Sequence, residues 1–186
     1  MRIRRLAAVG LFVLALTTGV VWSNFARKKV HNSELKAELN SPVTKLSVLL
    51  ALPPDKLNGL DIGRMNLLCA QGLPGVEDLK LEACMTKLDE MASRVRVETE
   101  RHFYRFRKKP TSFEHSEGYF RMIMLAVVLT EDFHVHFAPE KIGAVADART
   151  GDGFFSDAHD VFLHGLTGPK RQGTCSSLPV LQVAVG

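Results

Sequence analysis

A cysteine directly before a predicted helix is the strongest candidate for chemistry in this sequence. Cys175 lies in the segment GTCSS at residues 173–177, and an apolar run over residues 178–185 follows it. The free N–H groups and the dipole at a helix N-terminus stabilise a thiolate, and the same groups can hold a developing oxyanion. Lys170 and Arg171 add positive charge nearby. The segment therefore fits a cysteine nucleophile, although taken alone it fits a serine-capped helix with an incidental cysteine better.

Histidines and carboxylates offer a second kind of site, a metal centre. His134 and His136 alternate in a short predicted strand, so they would point to one face, as metal ligands do. Four further potential ligands belong to the next predicted helix: Asp157, His159, Asp160 and His164. Solvated or loop-bonded histidines explain this pattern more simply, because carboxylate ligand sets have no fixed spacing. The sequence therefore predicts no metal and no cofactor.

The distribution of charge argues against a nucleic-acid binder. The net charge of +4 is misleading, because three of the 24 basic residues lie in the first 26 positions, leaving 21 basic against 20 acidic side chains. Residues 102–109 interleave aromatic and basic side chains and could contact phosphates or lipid headgroups. A charged helix end with Lys and Arg in its last turn explains them better. We expect no nucleic-acid partner.

The N-terminal residues are typical of a targeting segment. Arg2, Arg4 and Arg5 precede residues 6–22, which carry no charge. A basic start followed by an apolar stretch is typical of an export signal, and the run is also close to the length of a spanning helix. We expect residues 1–26 to be a signal peptide or a membrane anchor, followed by a linker over 27–40. The protein is then expected to be membrane-anchored or secreted to the periplasm or beyond.

Apolar periodicity predicts a mainly helical region between residues 41 and 140. Helices are expected to start at Ser41-Pro42 and to cover about 60–71, 76–106, 117–132 and 157–166, with a short strand at 133–137. Ser116 is expected to cap its helix, and Glu90 to pair with Arg94. The stretch 122–129 is apolar on every side, which predicts full burial.

Two of the three cysteines sit among apolar neighbours. Cys69 and Cys84 are interpreted as small core residues. In an oxidising compartment they could also form a disulfide with each other, and the sequence leaves this open. In either case Cys175 is left without a partner.

The GTC motif opening an apolar helix resembles the nucleophile segment of the transglutaminase-like superfamily. Four upstream stretches resemble bacterial members with a helical region before the core: DIGRMNLLC at 61–69, ETERHFYRF at 98–106, SEGYFRM at 116–122 and DVFLHG at 160–165. The resemblance covers about residues 50–186. It implies a cysteine that heads a helix packed against a sheet, with a histidine and an aspartate on later strands.

The resemblance implies a fold, a boundary and one catalytic residue. Residues 141–186 are expected to be the first part of an α+β transglutaminase-like (papain-like) core whose sheet is missing, because the sequence stops at Gly186. Only Cys175 matches a functional residue of the family, so the chain is expected to be truncated and inactive by itself. The helix that Cys175 heads would then have partly exposed apolar residues: Leu178, Val180, Leu181 and Val183.

The resemblance also implies a class of activity. We expect an exported or membrane-anchored protein of the thiol acyl-transfer or amide-hydrolysis class, which acts on a protein or peptide substrate through a thioester at Cys175. The alternative is a non-catalytic helical module that binds a protein partner at the cell envelope.

Overall fold

The computed structural model describes residues 43–143, 154–155 and 157–186 of the chain. The expected leader at 1–26 and linker at 27–40 lie outside these residues. Among the described residues no helix is long and apolar enough to cross a bilayer. The signal peptide or anchor therefore remains a prediction from the sequence.

Most of the described chain is helical, which confirms the mainly α class. The helices are α1 (Leu46–Leu50), α2 (Pro54–Leu57), α3 (Ile62–Ala70), α4 (Leu81–Lys108), α5 (Glu117–Val127), α6 (Pro139–Ile142), α7 (Ala158–Val161), α8 (Leu163–Thr167) and α9 (Ser177–Val185). A 3-10 turn at Pro110–Phe113 follows α4, and a π-helical turn at Val128–Asp132 continues α5. Two strands, β1 (His136–Phe137) and β2 (Gln172–Gly173), pair in parallel and are the sheet that the described residues form.

Helix α4 lies at the centre of the main core. Its buried residues Leu88, Met91 and Val95 recur at three- and four-residue spacing and so share one face. Leu125 of α5 and Leu166 of α8 pack into the same cluster. Each such side chain stabilises the fold by about 1.5–3 kcal/mol when fully buried.

Helix α9 is held more firmly than the sequence predicts. It packs on α3, α4 and α8, and Leu181 is wholly buried in the main core. The expectation that Leu181 would be partly exposed is therefore wrong, because the helical region supplies its neighbours. Leu178 and Val180 are half-buried and Val183 is exposed, as predicted.

Helix α5 has an apolar surface that the core does not cover. Ser116 caps it as predicted, since its Oγ accepts a hydrogen bond from Tyr119 N–H at 3.2 Å. The predicted full burial of 122–129 is wrong, because Met122 and Val127 are 63% and 44% exposed. Only the face that packs against α4 is covered, so apolar composition on every side did not mean burial on every side.

The ion pairs on α4 differ from the predicted Glu90–Arg94 pair. Glu90 instead lies 2.7 Å from Lys87, one turn earlier. Arg94 reaches out of its helix to Asp132, with Nε 2.6 Å from Oδ2, and also lies 3.2 Å from Glu98. The tertiary neighbour replaced the local partner, because an exposed local pair contributes only a few tenths of a kcal/mol.

The predicted helix at 157–166 is two short helices, α7 and α8. Phe162 between them is extended, with φ −110° and ψ 160°. Asn66 Oδ1 of α3 accepts the Leu163 N–H at 2.9 Å and so satisfies a donor at the new helix start. The break brings Gly165 against the backbone of His159, whose carbonyl carbon would lie 2.9 Å from a Cβ at position 165. Glycine is therefore required at this position of α8, where the helix passes close to the backbone of α7.

The cysteines do not behave as a pair. Cys84 packs against the main core, as predicted, but Cys69 is exposed on α3. Cys69, Cys84 and Cys175 are all free thiols in the structure.

Candidate functional site

Cys175 lies in the turn directly before α9, and it is exposed between the buried Thr174 and Ser177. The helical hydrogen bonding begins before it, because Leu178 N–H donates to the Thr174 carbonyl at 3.0 Å. Thr174 and Ser177 are wholly buried, whereas Cys175 is exposed. The structure thus places the predicted nucleophile at a helix N-terminus with its thiol open to solvent.

Two hydrogen bonds from the backbone to side-chain hydroxyls fix the start of this helix. Thr174 N–H donates to Ser177 Oγ at 3.1 Å, and Ser176 N–H donates to Thr174 Oγ1 at 3.2 Å. Two side-chain hydroxyls thus satisfy backbone N–H groups at the start of the helix. One N–H that could hold an oxyanion, that of Ser176, is therefore already engaged.

The same two hydroxyls attach the cysteine segment to α7. Thr174 Oγ1 donates to the Asp160 carbonyl at 2.7 Å, and Ser177 Oγ donates to the same oxygen at 3.0 Å. Both bonds are buried, so removal of either hydroxyl would leave a buried polar group short of a partner. The position of Cys175 is thereby tied to the backbone of Asp160.

Gly173 lets the segment pass close to α8 and α9. A Cβ at this position would lie 2.5 Å from Ser177 Oγ and 2.8 Å from Leu166 Cδ2. The missing side chain of Gly173 is therefore what allows this internal packing.

The Asp160 side chain points into a buried ion pair. Its Oδ2 lies 2.9 Å from Lys141 Nζ, and the two side chains are 7% and 15% exposed. The angle does not make this a hydrogen bond, since Oδ2 has no aligned donor. Lys141 Nζ donates instead to the Phe154 carbonyl at 2.7 Å. This pair connects α6, α7 and the Phe154 backbone beneath the cysteine segment.

The strand pair joins the cysteine segment to the helical region. His136 is in register with Gln172 and Phe137 with Gly173. Arg171, expected to add charge near Cys175, donates from Nη1 to the Phe133 carbonyl at 3.0 Å. Its guanidinium therefore holds the turn after the π-helical segment, while Lys170 stays exposed.

His134 and His136 do not form the predicted ligand pair. His134 has a left-handed backbone, with φ 56°, so it lies outside the strand and the alternation is broken. The His136 Nδ1 atom is 2.8 Å from the His134 carbonyl oxygen. Both residues are exposed, which agrees with the interpretation as loop-bonded histidines.

His159 and His164 are brought together, with ring centroids 4.3 Å apart. Burial lowers the pKa of His159, but hydrogen bonds to Asp157 and Asp78 outweigh it, so the pKa is raised above its ordinary value. Burial, helped by the charge of His159, lowers the pKa of His164. The hydrogen bond from the His159 N–H, opposed by burial, lowers the pKa of Asp157. The pKa values of the two rings are therefore shifted in opposite directions although the rings are in contact.

The basic residues at 102–109 fold back on aromatic rings. The Arg107 guanidinium lies 5.0 Å from the Phe103 ring centroid, and Lys108 Nζ lies 5.6 Å from that of Tyr104. They end α4, as the helix-end interpretation requires.

Sequence reasoning missed two members of these sites. Lys141 stands in no recognisable motif, and Asp78 is 81 residues from His159 although Asp78 Oδ2 and His159 Nε2 are 3.4 Å apart. The hydroxyl residues Thr174, Ser176 and Ser177 were a usable signal for side-chain hydrogen bonds at this helix start. The contacts of Lys141 with Asp160 and of Asp78 with His159 form only when distant segments pack together.

Comparison of the chain with protein-family models, with curated proteins and with solved structures finds no match in any of the three.

Proposed function

We propose that this chain carries the nucleophile segment of an exported or membrane-anchored transglutaminase-like protein, with Cys175 as the attacking thiol. The observation that carries the proposal is the exposed Cys175 between the buried Thr174 and Ser177. The buried hydrogen bonds of Thr174 and Ser177 hold the backbone of Cys175 in a fixed position, which favours the positioning of a nucleophile.

The proposed reaction is acyl transfer through a thioester. The Cys175 thiolate attacks the carbonyl carbon of an amide, the C–N bond breaks, and the amine leaves with a proton from a general acid. Water or a second amine then attacks the thioester and releases the thiolate, which gives a carboxylic acid or a new amide. The acyl acceptor decides between hydrolysis and transamidation.

The residues that follow Cys175 in this sequence supply no general acid. Residues 176–186 contain no histidine and no acidic residue. We therefore expect the 186-residue chain to show no Cys175-dependent amidase or transamidation turnover when assayed against a Cys175→Ala control. Clear turnover that the control lacks would mean that a base is recruited from upstream residues.

Thiol labelling tests the nucleophile itself. Cys175 and Cys69 are both exposed, but Cys69 lies inside α3 whereas Cys175 lies at a helix start. Because Cys175 lies at a helix start, we expect it to be alkylated roughly two- to fivefold faster than Cys69 near neutral pH. Peptide mass spectrometry of the full chain after brief iodoacetamide treatment gives both rates in one sample.

The competing hypothesis, a non-catalytic helical module, predicts a different labelling result. A structural cysteine at position 175 would react no faster than Cys69. Equal rates, or faster labelling of Cys69, would therefore remove the support for an activated thiol. Unfolding the chain in denaturant is the control, and it should bring the two rates together.

Export is tested by reporter fusion. Residues 1–40, joined to a reporter that is active only outside the cytoplasm, should give activity because the uncharged run 6–22 follows three arginines. A fusion that starts at residue 27 is the matched control and should be silent. A silent 1–40 fusion recovered from the cytosol would contradict the targeting prediction.

A further inference from the structure

Three metal-binding side chains from two distant parts of the chain converge beside α7 and α8. Asp78, His159 and His164 each offer one ligand atom, and these atoms all lie within 4.8 Å of one another. The His159 Nε2 and Asp78 Oδ2 atoms are 3.4 Å apart. Two ligands of a tetrahedral zinc ion are separated by about 3.3 Å when each bond is 2.0–2.1 Å. The distance between His159 Nε2 and Asp78 Oδ2 is therefore already close to the ligand–ligand distance of a tetrahedral zinc site.

A second carboxylate orients one of the histidines. Asp157 Oδ1 lies 2.8 Å from His159 Nδ1 and accepts the His159 backbone N–H at 2.9 Å. The ring is therefore held with Nε2 directed to Asp78. A carboxylate on the far nitrogen is the usual partner of a metal-bound histidine, because it fixes the tautomer and raises the basicity of the ligand.

The surroundings of His164 are an independent indication of a ligand-binding site. His164 is 4% exposed, yet neither ring nitrogen has a hydrogen-bond partner among the residues that the structure describes. A buried polar atom without a partner costs about 1–3 kcal/mol, so such atoms usually serve a purpose. The His164 ring, together with Asp78 and Cys84, lines a cavity of about 180 Å³. This cavity has room for an ion and for a further ligand.

We infer that Asp78, His159 and His164 form a binding site for a transition-metal cation of the zinc type, with Asp157 as the residue that positions His159. Two imidazoles and one carboxylate select zinc, cobalt or nickel over magnesium and calcium, which prefer all-oxygen sites. Three protein ligands leave a fourth position open toward the cavity. The inference departs from the sequence prediction of no metal and is independent of the role of Cys175.

The test is a zinc titration of the full 186-residue chain in detergent, after removal of metal with a chelator. A chromophoric chelator competes for the ion and reports the affinity. We expect one equivalent of Zn²⁺ per chain, undisturbed by excess Mg²⁺. Co²⁺ in place of zinc should give the visible d–d absorption of a tetrahedral site, which is a readout independent of affinity.

Substitutions of the proposed ligands test where the ion binds. Asp78 is exposed, so Asp78→Asn should fold normally and weaken zinc binding by at least about a hundredfold, while Asp157→Asn should weaken it about ten- to a hundredfold. His164→Leu should abolish the cobalt spectrum. Glu77→Gln, which removes the neighbouring exposed carboxylate, is the matched control and should leave binding unchanged. No bound equivalent in the parent chain, or binding that Asp78→Asn leaves intact, would overturn the inference.

Discussion

Replacing Gly165 with alanine is expected to lower the free energy of unfolding by about 3 kcal/mol or more. The added Cβ would meet the His159 carbonyl oxygen and would lie 2.9 Å from the carbonyl carbon. Backbone atoms cannot rotate away as a side chain can, so α7 and α8 must move apart. Overpacking in a close-packed interior costs about 1–3 kcal/mol and occasionally more, and a rigid neighbour puts this site at the upper end. Thermal unfolding should show a melting temperature lower by about 6–12 °C for a chain of this length.

Gly118→Ala is the matched control for this prediction. Gly118 is exposed in the first turn of α5, and a Cβ there would meet only Ser116 Oγ at 3.7 Å. Alanine should therefore leave stability unchanged or raise it by up to about 1 kcal/mol. If both substitutions had the same effect, the close approach at Gly165 would not be what fixes the turn between α7 and α8.

The displacement at Gly165 should also reach the cysteine. Thr174 and Ser177 both donate to the Asp160 carbonyl, one residue after His159. Movement of this backbone therefore loosens the start of α9. Any difference in alkylation rate between Cys175 and Cys69 should shrink in folded Gly165→Ala protein and persist in Gly118→Ala.

Lys141→Met is expected to destabilise the protein by about 3–5 kcal/mol. It removes the partner of the Asp160 carboxylate, which is 7% exposed, and leaves that charge buried. It also leaves the Phe154 carbonyl without the donor at 2.7 Å. Chemical denaturation of the variant and the parent chain gives the difference directly.

A double substitution separates the charge from the packing. In Lys141→Met with Asp160→Leu no charge is left unpaired, so most of the lost stability should return. Glu90→Gln, which breaks the exposed pair with Lys87, should cost less than 1 kcal/mol. A Lys141→Met effect as small as that of Glu90→Gln would show that Asp160 reaches water and that the pair is not a buried support.

The sequence alone determined those features that depend on neighbours along the chain. The three- and four-residue spacing of Leu88, Met91 and Val95 predicted the long helix, because a helix repeats every 3.6 residues. Ser116 predicted its helix start, since its side chain needs only the N–H three residues ahead. The place of Cys175 before an apolar helix is of the same kind.

Features that depend on burial could not be derived in this way. Apolar composition predicted that 122–129 would be covered, but only a packed partner decides which face is covered, and Met122 faces solvent. Local charge predicted a Glu90–Arg94 pair, yet Arg94 pairs with Asp132 at the end of the π-helical turn. In both cases the outcome depended on which other segment packs beside the residue.

The candidate sites belong almost entirely to the tertiary structure. The Asp160 and Lys141 side chains are paired because α6 and α7 pack together, and Asp78 meets His159 across 81 residues. The spacing of residues in the sequence does not reveal such contacts. A side chain reaches only a few ångströms, and it is the folded backbone that brings the partners together. The residue types could be identified from the sequence, whereas their neighbours, and hence their chemistry, were decided by the way α8 and α9 pack onto α3 and α4.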